Sequence, residues 1–333
     1  MLSRVADSLY WMSRYIERAE HTTRLLDVNL NLMLDESATS ADRRWQRLLQ
    51  TLGSPKDVTW SGDPYALTQQ LSFDTELSGS IVSSIISARE NSRHVREQIS
   101  TEQWHQLNSL YLQVTRPDGQ QGMQPGSMSG AITGGAEQTI EFLQEVMEGV
   151  HEFQGVSDST MSHGEGWQFI QVGRYIERAA ATALLIESYH EDLWLHTEDI
   201  PEGNEYLEWM GLLRSATAFE AYCKVYTADV TPDRILEFLL LDEEFPHSIR
   251  FSIDTLVRAL EAIHREGGIK SRAEALRRLA GRLQASLSYS SLEEILSGDI
   301  VAYLRGIQLQ CKEIHDMMYK LYIDYSIQAA LAG

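Results

Sequence analysis

Cysteine is scarce in this chain of 333 residues: Cys223 and Cys311 are the only two, and neither belongs to a C-x-x-C pair. Their spacing excludes a zinc ribbon or a dithiol redox motif and makes a reducing cytoplasm the expected compartment. Long apolar runs are missing too. No window approaches the roughly 18 uninterrupted apolar residues of a membrane-spanning helix. The opening MLSRVADSLYWMSRYIER scatters charges where a signal peptide would be apolar. Positive charge is in short supply, with 28 Lys and Arg against 48 Asp and Glu and a formal charge of −20. Nucleic acids and anionic membranes need clustered Lys and Arg, so neither is an expected partner.

Strand-like alternation is rare, and what fills the chain is helical periodicity. The first 34 residues contain neither Gly nor Pro. Within them Val5, Leu9, Met12, Ile16, Ala19, Leu26 and Leu30 recur at three- and four-residue spacings and build one apolar face. EQTIEFLQEVMEGVHEF, WQFIQVGRYIERAAATALLIESYHEDLW, SIRFSIDTLVRALEAI and IVAYLRGIQLQCKEIHDMMYKLYIDYSI behave in the same way. Start signals agree: Thr231-Pro232-Asp233 places Thr at a cap and Pro at the first helical position, and Ser291 precedes Glu293 and Glu294. The expected class is all-α. Arg116 to Gly135 holds six glycines and two prolines and reads as a flexible Gly/Pro-rich loop, 116–135.

The hexapeptide RYIERA occurs twice, at Arg14–Ala19 and Arg174–Ala179, 160 positions apart. Trp45 in WQRLL then parallels Trp209 in WMGLL, and the helix read at 136–153 parallels the one read at 299–327. ARENSRHVRE from Ala88 is set opposite DEEFPHSIRF from Asp242, which pairs Glu90 with Glu244 and Arg96 with Arg250. An internal repeat on this scale predicts two tandem helical repeats, 1–157 and 158–333. They are expected to be related by a pseudo-twofold axis and fused into one large helical bundle.

Around the first hexapeptide Arg14, Glu17, Arg18 and His21 share a helical side with Tyr10, Leu25 and Leu32. A helix apolar nearly all round is buried all round, and charges there cost several kcal/mol each unless paired. Arg14, Glu17, Arg18, Arg174, Glu177 and Arg178 therefore form either a register-fixing polar cluster or a site that grips a carboxylate or phosphate. A second patch groups Arg89, Arg93 and Arg96 with Glu90 and Asn91, and could be a local anion site or a helix laced with ion pairs. Glu-x-x-His occurs at Glu102/His105, Glu148/His151, Glu187/His190, Glu244/His247 and Glu261/His264. That spacing matches the ligands of carboxylate-bridged di-metal bundles, so a metalloenzyme stands as the alternative. His163 precedes the second hexapeptide helix, where it or Ser162 is placed to cap.

LYWMSRYIERAEHTTRLL, EGWQFIQVGRYIERA, ISARENSRHVREQIS and LLLDEEFPHSIRFSI together resemble the alpha-E domain family of bacteria, named for its helices and its Glu-Arg motif. The resemblance runs along nearly the whole chain. It implies a cytoplasmic helical protein that accompanies ATP-grasp amidoligases and transglutaminase-like proteins in systems acting on peptide-like metabolites. It brings no settled reaction and no assigned cofactor, and leaves a homo-oligomer open. Its signature residues fall on Arg14, Glu17, Arg18, Arg89, Glu90, Asn91, Arg93, Arg96, His163, Arg174, Glu177, Arg178 and Pro246. Ser13 departs from the pattern, where Gly is usual and where Gly173 stands in the second copy.

Overall fold

A computed structural model describes residues 1–33, 38–116, 132–195, 204–227, 229–267 and 273–324. These form fourteen α-helices and no strand, which agrees with the all-α reading. In order they are α1 Ser3–Leu32, α2 Ala38–Thr51, α3 Pro64–Phe73, α4 Ile81–His94, α5 Thr101–Val114, α6 Ile132–Thr160 and α7 Glu165–Leu195. There follow α8 Asn204–Ser215, α9 Phe219–Tyr226, α10 Pro232–Leu241, α11 Ile249–Gly267, α12 Ala273–Tyr289, α13 Leu292–Leu296 and α14 Ile300–Tyr319. A π-helical turn, Lys320–Asp324, closes the described chain. No described helix is long and apolar enough to cross a membrane.

Of the expected loop, residues 117–131 lie outside the described residues. Its last four, 132–135, are the first turn of α6 instead. A first turn has few intrahelical bonds to lose, so Gly134 and Gly135 cost little there.

Contacts divide the chain into two compact units. One comprises Met1–Tyr10, Gln50–Gly53 and Gly164–Gly333. In it α7 packs against α11 and α14, and α12 packs against the same two helices, so four long helices close a ring. Ile186, Ile253, Leu256, Leu283, Leu304 and Ile314 lie fully buried inside it. Each such side chain contributes about 1.5–3 kcal/mol by leaving water. Beside the ring, Phe238 of α10 stacks on Phe245 at 4.8 Å between ring centroids and meets Tyr222 of α9 edge-on.

The other unit comprises Trp11–Leu49 and Ser54–His163. Here α3 packs on α4, α4 on α5 and α5 on α6. Trp45 of α2 is fully buried and stacks on Trp60 at 5.8 Å, while Trp60 donates its indole N–H to Asp42. Trp209, its sequence parallel, is likewise buried. The tightest approach lies between α5 and α6. A Cβ added at Gly149 would stand 2.7 Å from Leu110 Cδ1.

One joint is built twice. Helices α3 and α10 are each ten residues long, and each opens with Pro, at Pro64 and Pro232. Each ends on an aspartate, Asp74 or Asp242, whose Oδ1 accepts the backbone N–H two residues on, at Glu76 or Glu244, both at 2.9 Å. A serine, Ser80 or Ser248, then caps the next helix by accepting from Ser83 N or Phe251 N. Every equivalent pair is 168 positions apart. This offset differs from the one that pairs Glu90 with Glu244 and Arg96 with Arg250. Glu90 lies inside α4, whereas Glu244 lies in the turn ahead of α11.

Two glycines of α6 should respond oppositely to substitution. Gly155 is exposed with nothing within 4 Å of an added Cβ, so Gly155→Ala should stabilise by up to about 1 kcal/mol through helix propensity. Gly149→Leu should destabilise by roughly 1–3 kcal/mol through overpacking against Leu110. Urea unfolding of the two variants beside the parent chain measures both.

Candidate functional site

The hexapeptides fall in different units, with Arg14, Glu17 and Arg18 in one and Arg174, Glu177 and Arg178 in the other. Within each copy the tyrosine and the second arginine stand three apart, on one helical face. The guanidinium of Arg18 lies over the Tyr15 ring at 5.7 Å, and that of Arg178 over Tyr175 at 5.4 Å. Arg14 lies over Trp11 at 4.8 Å. Glu17 and Arg178 are buried, and Arg14, Arg18, Arg174 and Glu177 are half-buried. Arg178 donates from Nη1 to the carbonyl of Pro246 at 3.2 Å, and Thr182 one turn on donates to the carbonyl of His247. The second copy therefore fastens the joint between α10 and α11. The tyrosine's part was missed in the sequence, although its Y-x-x-R spacing was in plain view.

Two of the buried carboxylates outside the hexapeptides are clamped from other helices; Glu20 was not singled out in the sequence, and Glu187 was read only as half of a Glu-x-x-His pair. Glu20 of α1 is 1% exposed and pairs with Arg24, itself buried, one turn further along the helix. Its other oxygen accepts from Gln154 Nε2 of α6 at 3.0 Å, and His151 Nε2 lies 3.5 Å from the first. Glu187 of α7 is 6% exposed and accepts from Arg305 Nε of α14 at 2.6 Å and from Gln308. Arg305 also reaches Glu191 at 2.7 Å. The Glu20–Arg24 spacing was a legible signal on an all-round apolar helix, whereas the clamp from α14 left none.

Those partners bear on the Glu-x-x-His pairs. Glu187 is occupied by Arg305 and Gln308, and His151 turns toward Glu20. Glu102, Glu148, Glu244 and Glu261 are exposed. Among the described residues no group of three or more His, Cys, Asp or Glu side chains is placed to hold a metal ion. The geometry thus gives the metalloenzyme alternative no ligand set there. Burial holds the His190 imidazole below its ordinary pKa, against an opposing pull from Asp299.

His163 is exposed, with Nε2 3.1 Å from the carbonyl oxygen of Asp158. Helix α7 starts at Glu165, and the first backbone acceptor is the Gly164 carbonyl, which takes the Gln168 N–H.

The second patch comes together on α4 and α5. Arg89 donates from Nη1 to Glu90 at 2.6 Å and from Nε to Asn108 at 3.3 Å, and Arg93 donates to the other Glu90 oxygen at 3.2 Å. Arg89 and Arg96 both lie over the Trp104 ring. Asn91 turns away and donates to the Ser87 carbonyl.

Residues 1–323 match a family described as a predicted alpha-helical domain with a conserved ER motif. The chain belongs to the alpha-E family. Two curated relatives, an uncharacterized protein of Mycobacterium bovis and another of Mycobacterium tuberculosis, are each 23% identical over 339 residues. The match takes in 95% of this alpha-E chain, which spans 36% of the length of each relative. No solved structure matches it.

Removing a buried carboxylate strands its partners, so Glu20→Ala should destabilise by about 3 kcal/mol or more, with Glu20→Gln losing less. Thermal and urea melts read the ranking. His190 supplies a pH test. Its folded pKa is depressed from 6.5, so the unfolded chain binds the proton first on acidification. Stability should therefore fall as pH drops below about 6.5, and His190→Gln should flatten that part of the profile.

Proposed function

We propose that this alpha-E chain is an accessory or substrate-binding component of an ATP-grasp amidoligase system that makes or modifies a peptide-like metabolite. The partner class comes from the family resemblance. The observation that carries the reading is the length of the mycobacterial relatives, in which the matched region is 36% of the chain. A helical unit joined to roughly twice its own length of further chain acts as one part of a larger machine. The carboxylates of Glu20 and Glu187, engaged by Arg, Gln and His side chains, suit a framework.

The same reading takes the chain as two copies of one helical unit, 1–157 and 158–333, related by a pseudo-twofold axis. Support comes from the repeated hexapeptide, the repeated tyrosine–arginine stacking and the twice-built joint. The duplicated Arg–Glu stripe is then a scaffold shared by both copies, and the exposed surfaces are free to engage a ligase or its substrate.

The test is co-expression of the full chain with the ATP-grasp amidoligase and the transglutaminase-like protein encoded beside it. The expected result is co-purification, together with amide formation by the ligase that slows at least tenfold when this chain is omitted. A ligase that never associates with it and turns over at the same rate alone ends the proposal.

A further inference from the structure

The end of α4 and the outer face of α5 form an exposed surface on which arginine is held by aromatic rings. The guanidinium carbon of Arg89 lies 4.5 Å from the centroid of Tyr111 and 5.6 Å from that of Trp104, and Arg96 lies 4.8 Å from the same Trp104 centroid. Arg89 is fixed by Glu90 and Asn108, and Glu90 also holds Arg93, whose side chain is 64% exposed. Arg96 is exposed and differs from both. Among the described residues it makes neither a hydrogen bond nor an ion pair, and the indole is what positions it. A guanidinium resting over an aromatic face keeps its forked N–H donors for a planar acceptor at its edge. Arg93, three positions away, offers a second cation.

The charge balance narrows the occupant. Glu90, Glu97 and Glu102 offset the three arginines across residues 89–102, on a chain whose formal charge is −20. Long-range steering of anions is therefore weak, and capture depends on short directional contacts. A doubly charged phosphate meets three nearby carboxylates. Peptide carboxylates bring single charges spaced along a chain rather than two at one point, and each planar group matches the guanidinium fork. Leu112, 52% exposed and one turn beyond Asn108 on α5, offers an apolar shelf further along the same helix. Apolar shelf and repeated cations suit a chain bearing several carboxylates better than a single small anion.

We propose that this surface binds an acidic peptide segment, with Arg96 taking one carboxylate bidentately, Arg93 engaging another, and Trp104 holding Arg96 in place. The inference does not depend on the amidoligase reading, since the side chains of α4 and α5 carry it alone.

The test uses the full chain and a fluorescein-labelled hexaglutamate peptide, followed by fluorescence anisotropy, with melting curves confirming that each variant is folded. Saturable binding is expected for the parent chain. Arg96→Ala should weaken it by roughly tenfold or more, and Arg96→Lys should fail to restore it, because an ammonium keeps the charge and loses the fork. Trp104→Leu should weaken binding while leaving the arginines intact. Inorganic phosphate at matched ionic strength should compete no better than chloride. Absence of saturation up to about 1 mM protein overturns the proposal. So do Arg96→Ala or Arg96→Lys variants that bind as the parent does, and so does selective displacement by phosphate.

Discussion

A charge taken out of water must find its counterpart inside the fold, and that requirement organises much of this chain. Isolated burial of one ion costs several kcal/mol, more than a typical helix–helix contact returns. Glu20 and Glu187 meet the demand by recruiting a cation and an amide each, Glu20 from its own helix and from α6, Glu187 both from α14. Arg178 meets it differently, with an aromatic face on one side and a backbone carbonyl as acceptor. Polar contacts of this kind tolerate little misplacement. They therefore set which turn of one helix faces which turn of the next, while the apolar residues around them supply the bulk of the attraction.

Helical content was legible because it is written locally. Periodicity marks the long helices, and caps such as Ser291, which accepts the Glu294 N–H, join residues only three apart. Thr231 takes its cap position too, although its side chain makes no capping bond and Pro232 does the work of starting the helix. The distant partners of Glu20 and Glu187 were not legible. Gln154 is 134 positions from Glu20 and Arg305 is 118 from Glu187, and no local pattern spells such a pairing. The likeness of the two joints was hidden for a related reason. Matching charges in ARENSRHVRE and DEEFPHSIRF suggested one alignment, but charged side chains on a helix surface are interchangeable. The aspartate and serine that close one helix and open the next are fixed by backbone geometry.

The candidate site divides along the same line. In the hexapeptides Arg14, Arg18 and Arg178 rest on ring faces, and Arg178 also binds a backbone carbonyl; contacts of both kinds suit a framework. At the α4–α5 corner two guanidiniums share one indole, and one of them, Arg96, is exposed. The letters Arg and Glu are common to both places, so composition could not separate scaffold from surface. Burial and acceptor identity do. In the mycobacterial relatives the matched region is one portion of a longer polypeptide.

The link from Arg178 to position 246 has a further consequence for how the family can vary. Its acceptor is main-chain, so every amino acid at 246 presents the same oxygen, and proline is not required for the bond itself. The donor enjoys no such freedom, because only a long forked cation can reach that carbonyl from within the helix while resting on Tyr175. The bond thus specifies a side chain at one end only. A pair bound in this way leaves no correlated trace between its two positions.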